Sequence, residues 1–406
     1  MDEASAATAI PGQRTERIDA DESVVTSALV KSVDSDDADT TGSLLPSTKR
    51  PAPGRIAFTM RQADSSHVTL RRVAEAAGVS ISTASRVMND AHNVSDAKRA
   101  AVKAAAARMG FVLNGIAKAL VAGRTRTVGL LAQHFESPFD ALLLRGVEEN
   151  LSRACYALVV ASGHWNAGEE ERCVQTLRTR QVDGIIVLSG SLGDEFLVEL
   201  AADLPIVLTG RELHAPGLHA LHSNDYKGAL AATRYLLQLG HRRIAHVAGD
   251  SNHPDSHDRA RGYRDALAQA RVDFDPELVL PGNYHENSGT DAVDSLLARG
   301  IEFTAVFAAN DQMAGGATLA VQRHGLRVPE DISIVGFDDL LATRHASPPR
   351  TTVNLSVIEL GRRAATAMLD LLSNRRPSAV APEPELIVRG STAPRSARAR
   401  AEPAQS

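Results

Sequence analysis

From Thr127 onward, short apolar runs alternate with helix-type stretches, and this alternation constrains the fold more than any other feature. The runs are Val128–Leu131, Ala157–Ala161, Gly184–Leu188, Ile206–Leu208, Ile244–Val247, Ala305–Ala308 and Ile332–Phe337. Because these runs are largely continuous stretches of apolar residues rather than strict alternations, they are typical of parallel strands buried on both faces by crossover helices. So many strands favour two doubly wound parallel α/β sheets over one. We expect the break between these two lobes near residues 239–241.

Basic residues are concentrated in one short segment that precedes the lobes. Residues 61–126 contain 11 Lys and Arg against 4 Asp and Glu, whereas the whole chain has a net charge of −5. A compact basic block is typical of a nucleic-acid-binding module. A solvated basic face has the same charge pattern, so charge alone leaves both interpretations open.

The basic segment predicts three short helices, over residues 70–77, 81–88 and 96–109. Thr69 and Ser80 are placed to cap the first two helices. Gly78 permits a tight turn between them, and Gly110 ends the third. Two short helices joined at a glycine and braced by a third form a helix-turn-helix unit, whose second helix enters the major groove.

The start of the second helix is expected to face the bases of DNA. Arg86 has the bidentate fork that binds guanine, and Ile81 can contact a thymine methyl group. The predicted DNA-binding residues of the unit are Thr69, Ser80, Ile81, Ser82, Thr83, Ser85, Arg86 and Asn89. Helical triads are common in proteins, so this pattern alone does not exclude a structural role.

The residues of this unit closely resemble the start of lactose-repressor (LacI/GalR) family regulators. The resemblance rests on Val68-Thr69-Leu70, Val73-Ala74, Ala77-Gly78-Val79-Ser80, Thr83, Ser85-Arg86-Val87, Asn89 and Val94-Ser95, and it continues through Phe111 to Leu120. It implies a hinge helix that contacts DNA through Asn114, Ala117, Lys118 and Leu120, with Leu120 as an apolar wedge between base steps. Leu113 replaces the proline usual in the family before that asparagine. The alternative is that Leu120 belongs to the core of an ordinary linker helix.

The resemblance extends over the lobes, which are similar to periplasmic sugar-binding proteins. It is carried by Ala309-Asn310-Asp311-Gln312-Met313-Ala314, Pro329–Asp339, Gly240–Ile244 and Pro349–Val353. The positions that match effector-binding residues of the family are Phe139, Asn224, Asp225, Arg259, Tyr284 and Asp338. A carboxylate and a guanidinium together suit the donors and acceptors of a polyol. The alternatives are a salt bridge between the lobes for Arg259 and a helix cap or turn for Asp338; Asp311 is expected to be structural.

The predicted organisation has five parts. They are a disordered N-terminal extension over 1–66 (or a misassigned start), a helix-turn-helix domain over 67–112, a hinge helix and linker over 113–126, a ligand-binding and dimerisation core over 127–392, and a disordered tail over 393–406. In the core, one subdomain comprises about 127–239 and 354–382, and the other about 240–353 and 383–392. The fold class is therefore an all-α helix-turn-helix domain followed by an α/β two-lobed, periplasmic-binding-protein-like core.

Several other functions lack a sequence signal. The two cysteines, Cys155 and Cys173, fit a reducing cytoplasm and are expected to be buried. No apolar run is long enough for a membrane span, and no secretory signal is visible. Metal sites, cofactors and catalysis are not expected, since His214, His219, His222, His253 and His257 lie in loops and no nucleophile or phosphate-loop motif is present.

The sequence thus predicts a cytoplasmic, dimeric transcription regulator of the repressor type, with double-stranded operator DNA and a sugar-like effector as partners. Release of DNA by the effector is expected. Two alternatives remain: a regulator that requires a co-repressor, and a transport-type sugar-binding protein.

Overall fold

The computed structural model describes residues 68–89, 93–111 and 124–395. The predicted N-terminal extension and the predicted hinge residues Asn114, Ala117, Lys118 and Leu120 lie outside these ranges. The predicted disordered tail begins too early, because Ala393 and Arg395 are hydrogen-bonded to the core. The carbonyl of Ala393 contacts Nε2 of His241 at 3.1 Å, and the amide of Arg395 donates to Leu239 over 2.8 Å.

Three helices form the N-terminal unit: α1 (Leu70–Ala76), α2 (Ile81–Met88) and α3 (Asp96–Met109). Their apolar faces share a small core of Val73, Ala74, Ala84, Val87, Val102, Ala105 and Ala106. Gly78 turns the chain between α1 and α2 at a φ of +63°, which favours glycine.

The first lobe is a five-stranded parallel sheet in the order β2-β1-β3-β4-β5. Its strands are β1 (Thr127–Ala132), β2 (Ala157–Ser162), β3 (Gly184–Leu188), β4 (Ile206–Thr209) and β5 (Leu218–Leu221). Its intervening helices are α4 (Pro138–Arg153), α5 (Ala167–Thr179) and α6 (Asp194–Asp203). The sequence did not predict β5, a short edge strand that includes His219.

The second lobe is a six-stranded sheet, parallel except at one edge. After helix α7 (Asp225–Gln238), the chain continues through β6 (Ile244–Val247), α8 (Pro254–Gln269), β7 (Val279–Leu280), α9 (Glu286–Ala298), β8 (Ala305–Ala308), α10 (Asp311–Arg323), β9 (Ser333–Asp338), α11 (Leu341–His345) and β10 (Thr351–Asn354). It then forms α12 (Val357–Leu372), and β11 (Glu385–Ile387) pairs antiparallel to β10. The strand order is β11-β10-β9-β8-β6-β7.

The chain passes between the lobes earlier than predicted. Helix α7 packs on the second sheet, because a Cβ atom at its Gly228 would lie 2.8 Å from Phe337 of β9 and 3.0 Å from Val353 of β10. The first crossing therefore precedes Asp225, and the predicted break at 239–241 is wrong. Two later crossings fall between β10 and α12, where the chain returns to pack against α4 of the first lobe, and between α12 and β11.

The expectation of two buried thiols is also wrong. Cys155 is exposed in the turn after α4, and Cys173 is half-buried on α5. Cys155 has a φ of 57° in this turn.

Candidate functional site

The N-terminal unit presents the first turn of α2 to solvent. Ser80 caps this helix, its Oγ accepting from the amide of Thr83 at 3.2 Å and lying 2.9 Å from Oγ1 of Thr83. Ile81 is 45% exposed, and Ser82 and Arg86 are exposed as well. The hydroxyls of Ser80 and Thr83 therefore position the helix, while Ile81, Ser82 and Arg86 form an exposed surface, in which the Ser82 hydroxyl lies 3.0 Å from Oγ of Ser80.

The other predicted residues of this unit have local partners. Thr69 caps α1 by accepting from the amide of Arg72 at 3.5 Å. The side-chain amide of Asn89 donates to the carbonyl of Ser85 over 2.9 Å and so ends α2. These contacts define where the two helices begin and end, because each cap satisfies a helix terminus.

A cavity of about 520 Å³ lies between the two lobes. Its walls follow the carboxyl ends of strands, where ligands bind in open α/β sheets. First-lobe residues that line it include His134, Phe139, His164, Trp165, Ser189 and Thr209, and second-lobe residues include Asp225, His253, Asp255, Arg259, Tyr284 and Asp338. Five of the six predicted effector-binding residues are thus brought together here.

Asn224 is the predicted residue that does not line this cavity. It is exposed, and its Oδ1 accepts from the amide of Lys227 at 3.0 Å. Asn224 is therefore the N-cap of α7, and its neighbour Asp225 carries the polar group that reaches the cavity.

The centre of the second-lobe wall is the buried guanidinium of Arg259. Its Nε donates to Oδ1 of Asp225 over 2.8 Å, its NH2 lies 3.3 Å from Asp255, and its NH1 donates to the carbonyl of Ala309. The guanidinium also lies over the ring of Phe337, 4.1 Å from the centroid. Arg259 and Asp225 both belong to the second lobe, so the alternative of a salt bridge between the lobes is wrong.

Asp338 ends β9 with a carboxylate that has an unused oxygen. Its Oδ1 is 3.7 Å from NH2 of Arg259, too far for a hydrogen bond, and no donor in the described part of the chain bonds to it. The residue is 4% exposed and has a φ of 105°, a conformation that only surrounding structure can impose on a non-glycine residue. A buried acceptor without a donor favours a ligand donor at this position.

Burial and the guanidinium together set the protonation of this cluster. Burial raises the pKa of Asp225 to about 6 although Arg259 opposes it, and burial likewise raises the pKa of Asp338 well above its usual value. Burial alone would lower the pKa of Arg259, but Asp225 and Asp255 raise it above its ordinary value. Arg259 is therefore charged. Ionising all of the buried carboxylates would cost free energy, because burial removes the water that would stabilise their charges.

Aromatic side chains complete the cavity, and the sequence did not identify most of them. Trp165 stacks on His253 with centroids 3.4 Å apart, and His253 stacks on Tyr284 at 5.3 Å. Phe139 lies at the start of α4 and packs partly on the apolar core. The missed residues that line the cavity are His134, His164, Trp165, His253 and His285. In the sequence, these residues could have been identified only by their positions, since each one follows a strand or precedes a helix.

Asp311 does not line the cavity, and one of its two carboxylate oxygens has a hydrogen-bond partner within the described residues while Oδ1 has none. Its Oδ2 accepts from the amide of Leu340 at 2.9 Å, and the preceding residue, Asn310, caps α10. Across residues 68–89, 93–111 and 124–395, no cluster of three His, Cys, Asp or Glu side chains could hold a metal ion. The helices of the same ranges include none long and apolar enough to cross a membrane.

Comparisons with known proteins match both parts of the chain. Residues 69–114 match the model of bacterial regulatory proteins of the lacI family, and residues 233–392 match that of a periplasmic binding protein-like domain. The regulator CelR of Thermobifida fusca is 37% identical over 333 residues, covering 80% of this chain and 98% of its own. The ribose operon repressor of Haemophilus influenzae is 32% identical over 306 residues, covering 75% of this chain and 92% of its own.

Solved structures extend the similarity to the whole two-part architecture. A complex of the transcriptional regulator CelR with cellobiose has a TM-score of 0.60 at 36% identity, and it covers 80% of this chain and 99% of its own. A lac repressor dimer bound to operator and an anti-inducer has a TM-score of 0.73 at 26% identity, with the same coverage.

Proposed function

The chain belongs to the lacI family of bacterial regulatory proteins and is a DNA-binding transcription regulator rather than an enzyme, and on that premise we propose that a small polar effector bound between the lobes controls its affinity for operator DNA. One observation carries the proposal. A single chain combines an exposed reading surface on α2 with an interlobe cavity in which Oδ1 of Asp338 lacks a donor within the described residues.

The effector we propose is a neutral polyol of the sugar or nucleoside class. The cavity offers carboxylate acceptors at Asp225 and Asp338 and a guanidinium at Arg259, which suit vicinal hydroxyl groups. Phe139 and Tyr284 add apolar faces for a ring. A relative named as a ribose operon repressor, and the cellobiose complex of CelR, support the sugar class.

For DNA binding, we propose that α2 contacts base edges and that its capping residues stabilise the position of this helix. Ile81, Ser82 and Arg86 would contact base edges, while Thr69, Ser80, Thr83, Ser85 and Asn89 support the helix or contact the backbone. The hinge residues Asn114, Ala117, Lys118 and Leu120 remain a proposal taken from the family resemblance.

We propose that the protein acts in the cytoplasm as a homodimer, in which each α2 addresses one half of a pseudo-palindromic site. The operator-bound dimer of lac repressor supports this assembly. Effector binding would change the angle between lobes and so separate the hinge segments, with a coupling of about 1–3 kcal/mol. The domain organisation proposed above is kept, with the first lobe ending before Asp225 and the core extending to Arg395.

A mobility-shift assay on full-length protein tests the proposal directly. Operator candidates are selected from random DNA by binding, and the shift is repeated with a panel of sugars and nucleosides that have first been screened by thermal shift. We expect a sequence-specific shift that one class of panel compound weakens. A compound that strengthens the shift would indicate co-repression instead, and the absence of any sequence-specific shift would contradict the proposal.

A further inference from the structure

One aromatic contact joins the two lobes across the cavity. The indole of Trp165 follows β2 of the first lobe, and the imidazole of His253 precedes α8 of the second. Their ring centroids are 3.4 Å apart with planes inclined by 20°. At that spacing the rings touch, so no ligand fits between them. Opening the lobes must separate this pair.

The first lobe holds Trp165 firmly in this position. Its backbone amide donates to Oε1 of the buried Gln133 over 2.8 Å, and Oγ of Ser191 donates to its carbonyl over 3.1 Å. His164 and Trp165 have φ values of 53° and 54°, which are uncommon for residues other than glycine. The backbone that carries the indole is therefore held by its surroundings rather than by local preference.

The second lobe connects His253 to the charged cluster. The other face of the imidazole stacks on Tyr284, whose hydroxyl donates to Oδ2 of Asp255 over 3.1 Å. Asp255 in turn lies 3.3 Å from NH2 of Arg259. A continuous series of contacts thus runs from Arg259 to Trp165 of the other lobe.

We propose that Trp165 and His253 form a latch that holds the lobes closed, and that protonation of His253 releases it. Both residues are positioning residues in this role, since they act on the geometry of the cavity. The latch is independent of which effector binds and adds a dependence on pH to the proposed function.

The direction of the pH effect follows from burial. His253 is 6% exposed, and burial lowers the pKa of its imidazole. The groups that face it are Asp250 and Asp255, which favour the charged form, and Arg259 and His134, which oppose it, while Tyr284 and Trp165 cover its faces. Opening exposes the imidazole to water, where it binds a proton more readily. Acid therefore favours the open form, and burial outweighs the attraction between a charged imidazole and an indole.

Intrinsic fluorescence tests the latch, because Trp165 is the single tryptophan of the chain. Full-length protein without effector or DNA is titrated from about pH 7.5 to about pH 5.5, a range that spans the usual imidazole pKa. Emission maximum and acrylamide quenching are recorded for the wild type, His253→Phe, His253→Gln and the control His257→Phe. His257 is exposed on the same helix.

We expect the wild type and His257→Phe to shift to longer wavelength and to become more readily quenched on acidification. His253→Phe keeps a ring but has no titrating group, so it should remain blue-shifted and protected throughout. His253→Gln lacks the ring and should be red-shifted at every pH. A pH-independent wild type, or a response that persists in the folded His253 variants, would overturn the latch. Operator binding of the same proteins at neutral pH separates this outcome from a failure of the proposed regulator function.

Discussion

Arg259 Nε donates to Oδ1 of Asp225 over 2.8 Å, and this ion pair is buried within the second lobe. The pair joins α7 to α8 and places the guanidinium where Asp255 and Asp338 also face it. Because the charge of Arg259 offsets several buried carboxylates, the same residue supports the fold of the lobe and the polarity of the cavity.

Replacing Arg259 with Ala should abolish the effector response and leave operator binding in place. The substitution removes the guanidinium of the cavity wall and leaves buried carboxylates unpaired, so we expect the core to lose about 3–5 kcal/mol of unfolding free energy. Thermal shift with a panel compound that stabilises the wild type, together with a mobility shift without it, measures both effects.

Arg261→Ala is the matched control on the same helix. Arg261 is 61% exposed and pairs with Asp258 at the surface, so its loss should change stability by no more than about 0.5 kcal/mol. A folded Arg259→Ala protein that responds to effector normally would contradict the proposed role, as would one that no longer binds operator.

The free energy of unfolding should fall in acid because of His246, a buried residue of β6 in the second lobe. His246 is buried between Tyr263 and Phe307, and burial lowers the pKa of its imidazole from 6.5 to about 4. As the pH falls, the unfolded chain therefore binds a proton at this histidine at a higher pH than the folded chain does. The free energy of unfolding has its full value above about pH 6.5 and declines by about 3 kcal/mol as the pH approaches 4. Denaturant unfolding of the wild type and His246→Leu across this range should show a shallower decline in the variant. An identical slope in both proteins would argue against this assignment.

The sequence predicted elements whose signals are local. Helices α2 and α3 were predicted with their observed bounds, because caps and glycine turns lie within a few residues of the helices they limit. Strand β10 was missed: its Thr351 and Thr352 are polar yet buried, and the partners Arg389 and Ser391 lie far along the chain. The assignment of α7 to a lobe and the contact of Trp165 with His253 also depend on tertiary packing, which no local pattern encodes.

Operator recognition should depend on Arg86 more than on other exposed cations of the unit. If Arg86 binds a guanine edge, Arg86→Ala should cost about 1–3 kcal/mol and relax the base preference at one position of each half-site. Arg108 lies on α3, and any loss of affinity in Arg108→Ala should be the same for all DNA sequences. Binding titrations against the selected operator and its single-base variants compare the two. Unchanged base preference in Arg86→Ala would contradict the reading of a base by this side chain.

The position of α7 on the second sheet predicts opposite effects for two glycine substitutions. A Cβ atom at Gly228 would lie 2.8 Å from Phe337 and 3.0 Å from Val353, so Gly228→Ala should overpack this interface and cost about 1–3 kcal/mol. Gly168 lies at the exposed start of α5, where the nearest atom to a new Cβ would be 3.5 Å away. Gly168→Ala should therefore leave stability unchanged or raise it by up to about 1 kcal/mol, because alanine restricts the unfolded chain. Chemical denaturation of both variants and of the wild type measures these changes in the free energy of unfolding. If Gly228→Ala were as stable as the wild type, α7 could not pack this closely on the second lobe, and the first crossing would have to lie nearer Gly240.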